Sequence, residues 1–115
     1  MHNYLYVAIV LFVLAIFFGF IVFIQLLCDK PSFKPAVLIH GVVAGLGLIC
    51  LGTYAVLHVG TKPWLSLGIL SLAAIGGLLL LNFDLQKKTM PKLLLVLHPL
   101  AALTGLAVLI YYLIY

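Results

Sequence analysis

The chain alternates four long apolar runs with three short polar breaks. The breaks read DKPSFK, VGTK and DLQKKTM, and each contains charge. A proline lies at or just before each helix that follows a break, where its missing N–H costs no hydrogen bond. Each run has about the 20 residues that a membrane-spanning helix needs. The pattern therefore predicts four transmembrane helices, roughly over Asn3–Cys28, Pro35–His58, Pro63–Phe83 and Pro91–Tyr115.

Breaks this short predict that neighbouring helices run antiparallel. The expected fold is an all-α integral membrane protein, one up-down-up-down four-helix bundle over residues 1–115 with no soluble domain. Composition agrees, because 67% of the residues are hydrophobic and only 7% are charged, whereas soluble domains have about a quarter charged residues. The net charge of +4 comes from lysines between the apolar runs, so the expected partner is the lipid bilayer and not nucleic acid.

The lysines also predict an orientation. Five of the six lie in or beside the first and third breaks, and one lies in the second: Lys30, Lys34, Lys87, Lys88 and Lys92, against Lys62. Basic residues concentrate on the cytoplasmic side. We therefore expect a multi-pass protein of the bacterial inner (plasma) membrane, with both termini outside.

An internal repeat appears when the sequence is compared with itself at an offset of 58 residues. Residues 34–54 and 92–112 share seven identities in 21 positions, which are Lys34/Lys92, His40/His98, Ala44/Ala102, Gly47/Gly105, Leu48/Leu106, Leu51/Leu109 and Tyr54/Tyr112. At 100° per residue the matches from the histidine onward lie within about 120° of one another. The matched stripe is therefore expected to face other helices.

The repeat suggests two similar tandem hairpins, residues 1–58 and 59–115, related by a pseudo-twofold axis along the membrane normal. It rests mainly on the second and fourth helices, since the first and third match poorly. Both histidines are expected about 9 Å below their lysines, at 1.5 Å per residue. Gln25 and Asn82 lie close to the ends of the other two helices on that side, so each hairpin is expected to bring one imidazole and one amide to the inner leaflet.

An ionisable side chain inside a membrane suggests a functional site. Histidines from two facing helices can hold a b-type haem, with neutral Nε2 on the iron. On this hypothesis His40 and His98 ligate haem iron, and Gln25 and Asn82 orient the rings. The other expected contacts are small residues beside the flat cofactor and lysines near its propionates, namely Ala44, Gly47, Ala102, Gly105, Lys34 and Lys92.

His40, His98 and the four spans resemble small four-helix b-type cytochromes of bacterial inner membranes. That resemblance implies haem b, electron transfer and a quinone or other redox partner. Two alternatives stay open. The chain could be a non-catalytic bundle that forms a homo-oligomer or serves as an accessory subunit of a larger membrane complex, with the histidines hydrogen-bonding between helices. The same histidines could instead hold a transition-metal ion.

Overall fold

The computed structural model describes residues 3–57 and 63–114; Met1, His2, residues 58–62 and Tyr115 lie outside that description. The described chain forms four helices, α1 (Asn3–Leu27), α2 (Lys34–Leu57), α3 (Trp64–Leu85) and α4 (Lys92–Ile114). All four are long and apolar enough to cross a membrane. The prediction of four such helices is confirmed. The predicted ends at His58 and Tyr115, and Lys62 in the second break, fall outside the described residues.

Helices α1 and α3 end in the same way. Asp29 and Lys87 adopt left-handed backbone conformations, with φ of 58° and 56°. The next amide, that of Lys30 or Lys88, donates to a carbonyl five residues back, at 2.9 and 3.0 Å. These are the bonds of a Schellman motif, which satisfies the free carbonyls at a helix end. The two left-handed residues lie 58 positions apart, so both hairpins turn alike.

The four helices form a bundle in which each hairpin packs along its own length. α1 lies against α2 and α3 lies against α4, while α1 also contacts α4 and α2 contacts α3. α2 and α4 lie diagonally opposite and meet through aromatic side chains. The ring centroids of His40 and His98 are 6.1 Å apart, and those of Tyr54 and Tyr112 are 6.3 Å apart. Because the earlier residues pair at one end and the later residues at the other, α2 and α4 are parallel.

The repeated stripe faces the interior, as its spacing predicts. Most of its later members are buried, with Leu48 and Tyr112 half-buried, and the histidines and the alanines that follow them are also half-buried. The buried side chains of the stripe join α1 and α3 in one core, made of Leu5, Ala8, Phe12, Leu51, Tyr54, Leu70, Leu106 and Leu109. Large apolar side chains such as Phe20, Leu72 and Leu93 cover the outer surface.

Two ion pairs cross between the hairpins at the end of the bundle nearer the histidines. Lys34 Nζ lies 2.9 Å from Asp84 Oδ2, and the buried Ser32 hydroxyl donates to the same carboxylate oxygen at 2.7 Å. Lys92 Nζ lies 2.7 Å from Asp29 Oδ1. The lysines are equivalent in the repeat, but the aspartates are not.

Candidate functional site

Each of the two central histidines is hydrogen-bonded to the first helix of its own hairpin. His40 Nδ1 lies 2.7 Å from the carbonyl oxygen of Ala15, and His98 Nδ1 lies 2.8 Å from that of Ala73. A carbonyl oxygen can only accept, so in both bonds Nδ1 carries the hydrogen and donates it. In a neutral imidazole the other nitrogen, Nε2, then keeps its lone pair.

Each ring also rests on a glycine of the same neighbouring helix. A Cβ atom built on Gly19 would lie 2.7 Å from Cε1 of His40, and one built on Gly77 would lie 2.9 Å from Cε1 of His98. Real Cβ atoms essentially never come this close to another heavy atom. The absence of a side chain at these two positions therefore lets each imidazole approach the helix and reach its carbonyl.

The alanines and glycines that hold the imidazoles were missed in the sequence. Ala15 and Ala73 are 58 positions apart, and so are Gly19 and Gly77. The signal was an A-x3-G pattern that recurs at the offset already found in α2 and α4. It was hidden because the surrounding residues of α1 and α3 match poorly.

The imidazoles face each other across the diagonal of the bundle. Their centroids are 6.1 Å apart and their planes are nearly perpendicular, at 89°. The structure therefore brings together the two histidines on which the hypothesis depends. Among the described residues the hydrogen bond of each ring is the one made by Nδ1. Each neutral ring keeps one lone pair on Nε2, which can accept a hydrogen bond or bind a metal.

The two predicted amide partners lie elsewhere. Gln25 Oε1 accepts a hydrogen bond from the amide of Phe33 at 2.8 Å, and Asn82 Oδ1 accepts one from the Gln86 side chain at 2.8 Å. Both amides stabilise the chain near helix ends. We expected these amides to orient the imidazoles. The hydrogen bonds of the imidazoles go instead to backbone carbonyls of Ala15 in α1 and Ala73 in α3.

The predicted small residues divide into two kinds. The ring of Phe12 packs against Gly47, and the side chain of Leu70 packs against Gly105. A Cβ atom built on Gly47 would lie 2.9 Å from Phe12, and one built on Gly105 would lie 2.6 Å from Leu70. These two glycines are therefore close contacts between helices and not part of an open slot. The half-buried Ala44 and Ala102 lie one turn beyond the histidines.

The predicted lysines are already paired with acidic groups. Lys34 bonds Asp84 and Ser32, at 2.9 and 2.8 Å. Lys92 bonds Asp29 at 2.7 Å and lies 3.2 and 3.3 Å from the last carbonyl oxygens of α1. Their side chains remain 57% and 46% exposed. Contact with an added anionic group would therefore compete with these aspartates.

No group of three or more His, Cys, Asp or Glu that could hold a metal ion occurs within residues 3–57 and 63–114. The two cysteines are free thiols, Cys28 exposed and Cys50 half-buried. His58 lies outside the described residues. No protein-family model, curated protein or solved structure matches the chain.

Proposed function

We propose that the chain is a multi-pass membrane protein of the bacterial inner membrane with both termini outside. The support is the apolar outer surface, which would be costly in water, together with the five lysines in or beside the first and third breaks against one in the second. The Lys34 and Lys92 ion pairs mark the cytoplasmic end on this proposal. The imidazole pair then lies in the inner half of the membrane.

We also infer that the two hairpins arose by duplication and are related by a pseudo-twofold axis along the bundle. Residues 58 positions apart meet each other at two levels, His40 with His98 and Tyr54 with Tyr112. Equivalent residues of two copies contact each other when the copies are related by a twofold axis, but not when one copy is simply translated relative to the other. Fourteen residues separate the two levels, so the line through both pairs follows the helices.

We propose that the imidazole pair binds haem b and that the protein transfers electrons. One observation carries this proposal: both imidazoles donate Nδ1–H to a carbonyl, which leaves a lone pair on Nε2 of each of two rings whose centroids are 6.1 Å apart. A hydrogen bond from the other ring nitrogen to a carbonyl is the usual support of a metal-ligating histidine. When bound, haem would supply one-electron chemistry, and His40 and His98 would hold its iron.

The number of donors favours haem over a bare ion. A porphyrin supplies four ligands to its iron, so two imidazoles complete the coordination. A structural zinc ion takes four protein ligands, and the described residues offer no cluster of three. The donor set therefore fits haem iron. Phe12 and Leu70 pack against Gly47 and Gly105, so these two glycines would not contact the macrocycle.

The test is the absorption spectrum of protein expressed with ample haem and purified in detergent. We expect a Soret band that is lost or converted in both His40→Ala and His98→Ala. The double variant should be little worse than either single one, because residues that share one iron are not additive. His58→Ala, a matched change of the same residue type, should keep the band. A colourless wild-type protein would rule out the haem proposal.

A second candidate is the non-catalytic bundle, acting as an oligomer or accessory subunit. It is favoured by the close packing of each imidazole on a glycine and by its hydrogen bond to a backbone carbonyl. These contacts give each imidazole a packing role without any ligand. The same variants separate the two functions. A structural role predicts a colourless, metal-free wild type whose histidine variants lose stability, and metal analysis would detect the remaining alternative of a transition-metal ion.

A further inference from the structure

The two hairpins carry opposite charges at the position where α1 and α3 turn into the following break. Asp29 and Lys87 are equivalent in the repeat, and both adopt the left-handed conformation, with φ of 58° and 56°. Because the two backbones match, the Cα–Cβ bonds leave them in the same direction. The Asp29 carboxylate pairs with Lys92 of the other hairpin at 2.7 Å. Lys87 therefore puts a positive charge where the first hairpin has a neutralising carboxylate.

The chain has no further carboxylate with which to neutralise this end of the bundle. It contains only two acidic side chains, Asp29 and Asp84, and each already pairs with a lysine of the other hairpin. The C-terminal carboxylate follows α4, which begins at this end and runs away from it. Three exposed lysines here form no ion pair within residues 3–57 and 63–114, namely Lys30, Lys87 and Lys88.

This unneutralised charge is divided unequally between the two breaks. With both ion pairs counted as neutral, the first break keeps one positive charge, that of Lys30, and the third keeps two, those of Lys87 and Lys88. The two adjacent lysines lie two and three residues after α3 ends at Leu85. The excess of positive charge is therefore greatest directly beyond the end of α3.

The backbone at position 87 gives independent support for a role of its side chain. Glycine or asparagine usually occupies the left-handed residue that ends a helix, because a Cβ atom is strained in that conformation. Lys87 holds this conformation with a long basic side chain. The chain thus keeps a positive charge at a position where glycine would be less strained.

The depth of these lysines in a membrane identifies their partner. α3 is long and apolar enough to span a bilayer, so residues just beyond its end lie at the level of the headgroups. The anions at that level are lipid phosphates, and a lysine stem is long and flexible enough to bring its ammonium group to them. We propose that Lys87 and Lys88 bind the phosphate of an anionic phospholipid whose acyl chains lie beside the exposed Leu85.

This proposal deepens the proposed function and rests on its membrane insertion, but it uses neither haem nor the lysines expected near the propionates. Insertion is measured separately, by recovery of the protein in the membrane fraction. A protein that is recovered there but shows no preference for anionic lipid would overturn the lipid site and leave the insertion intact.

The measurement is native mass spectrometry of the full-length protein in an uncharged detergent, titrated with dioleoylphosphatidylglycerol or dioleoylphosphatidylcholine. The two lipids share the phosphate and both acyl chains, but the choline cancels the charge of the second. We expect phosphatidylglycerol to bind at least about tenfold more tightly, since each lysine near an anionic surface contributes about fivefold. Equal affinities would refute the proposal.

Glycerol phosphate separates a lipid ligand from a soluble phosphate compound. It offers the same phosphate chemistry without acyl chains, so at equal concentration it should leave bound phosphatidylglycerol in place. Displacement at equal concentration would show that the lysines bind a soluble phosphate, and the lipid assignment would be wrong.

Lys88→Gln and Lys30→Gln test the location as a matched pair. The two residues are equivalent in the repeat, and their amides make the same helix-ending hydrogen bond. Lys88→Gln and Lys87→Gln should each weaken phosphatidylglycerol binding about fivefold, whereas Lys30→Gln should weaken it less than about twofold. All three side chains are exposed, so the variants should fold. Equal losses in Lys30→Gln and Lys88→Gln would show attraction spread over the whole end of the bundle and would overturn the site beyond α3.

Discussion

Each imidazole is held from two sides by the neighbouring helix of its own hairpin. A carbonyl fixes Nδ1, and a glycine one turn farther along removes the side chain that would block the ring. The two contacts depend on each other, since the ring reaches the carbonyl only by lying against the glycine. A single methyl group at either glycine therefore disturbs both the packing and the hydrogen bond.

Gly19→Ala and Gly77→Ala should each destabilise the bundle by about 1–3 kcal/mol, the usual cost of overpacking. The imidazole cannot simply turn away, because its Nδ1 would lose the carbonyl. The measurement is the free energy of unfolding in mixed micelles titrated with dodecyl sulfate.

Gly41→Ala provides the control for these variants. Gly41 lies next to His40 in the sequence, but its Cβ position has no atom within 4 Å. Its replacement should be neutral or stabilise the helix by up to about 1 kcal/mol. Equal losses of unfolding free energy in Gly19→Ala and Gly41→Ala would show that the contact of His40 with Gly19 contributes nothing to stability.

The boundaries of the elements could be predicted because each polar break contains both charge and proline. Predicted and observed helix ends differ by no more than two residues where both are described. The interior direction of His40 and His98 also followed from the repeat, since identical residues on one stripe indicate a shared interior face. The hydrophobic pattern supplied little else, because helices apolar on every side do not reveal which side meets protein.

What the sequence did not reveal were the partners of the candidate residues. Gln25 and Asn82 were assigned to the imidazoles from depth alone. Depth does not specify rotation about the helix axis, and both amides stabilise chain turns instead. The true partner of each histidine is a backbone carbonyl, which every residue possesses and which no side chain marks in a sequence.

The two ion pairs at the end of the bundle nearer the histidines should contribute unequally, although their lysines are equivalent. The Asp84 side chain is only 13% exposed and bonds both Lys34 and Ser32, whereas the Asp29 side chain is 80% exposed. Asp84→Asn should cost about 1.5–3 kcal/mol, as expected for hydrogen bonds to a charged group. Asp29→Asn should cost about 0–1 kcal/mol, the range of surface pairs.

Unfolding free energies of both variants, measured at low and high salt, test this difference. The exposed pair is screened by salt more strongly than the partly buried one. Ser32→Ala serves as a companion variant, because it removes one bond to Asp84 without changing the charge. Equal losses from both aspartates would contradict the unequal contribution.

For the molecule as a whole, the lysine distribution predicts which end faces the cytoplasm. A reporter that is active only outside the cytoplasm, such as alkaline phosphatase, should be active when fused after Ile114. The same reporter should be inactive when fused within Gln86–Met90. A fluorescent protein that folds only in the cytoplasm should give the opposite pattern. The reverse pattern, with alkaline phosphatase active within Gln86–Met90 and the fluorescent protein active after Ile114, would place the imidazole pair in the outer half of the membrane.

The like-with-like contacts on the diagonal, His40 with His98 and Tyr54 with Tyr112, imply a history. An ancestral hairpin of one gene could have formed the same contacts with a second copy of itself, and fusion would have placed both copies in one polypeptide. A homodimer cannot change one subunit without changing the other. After fusion the halves can diverge separately, and the exchange of Phe18 for Gly76 at equivalent positions has the form of such a one-sided change.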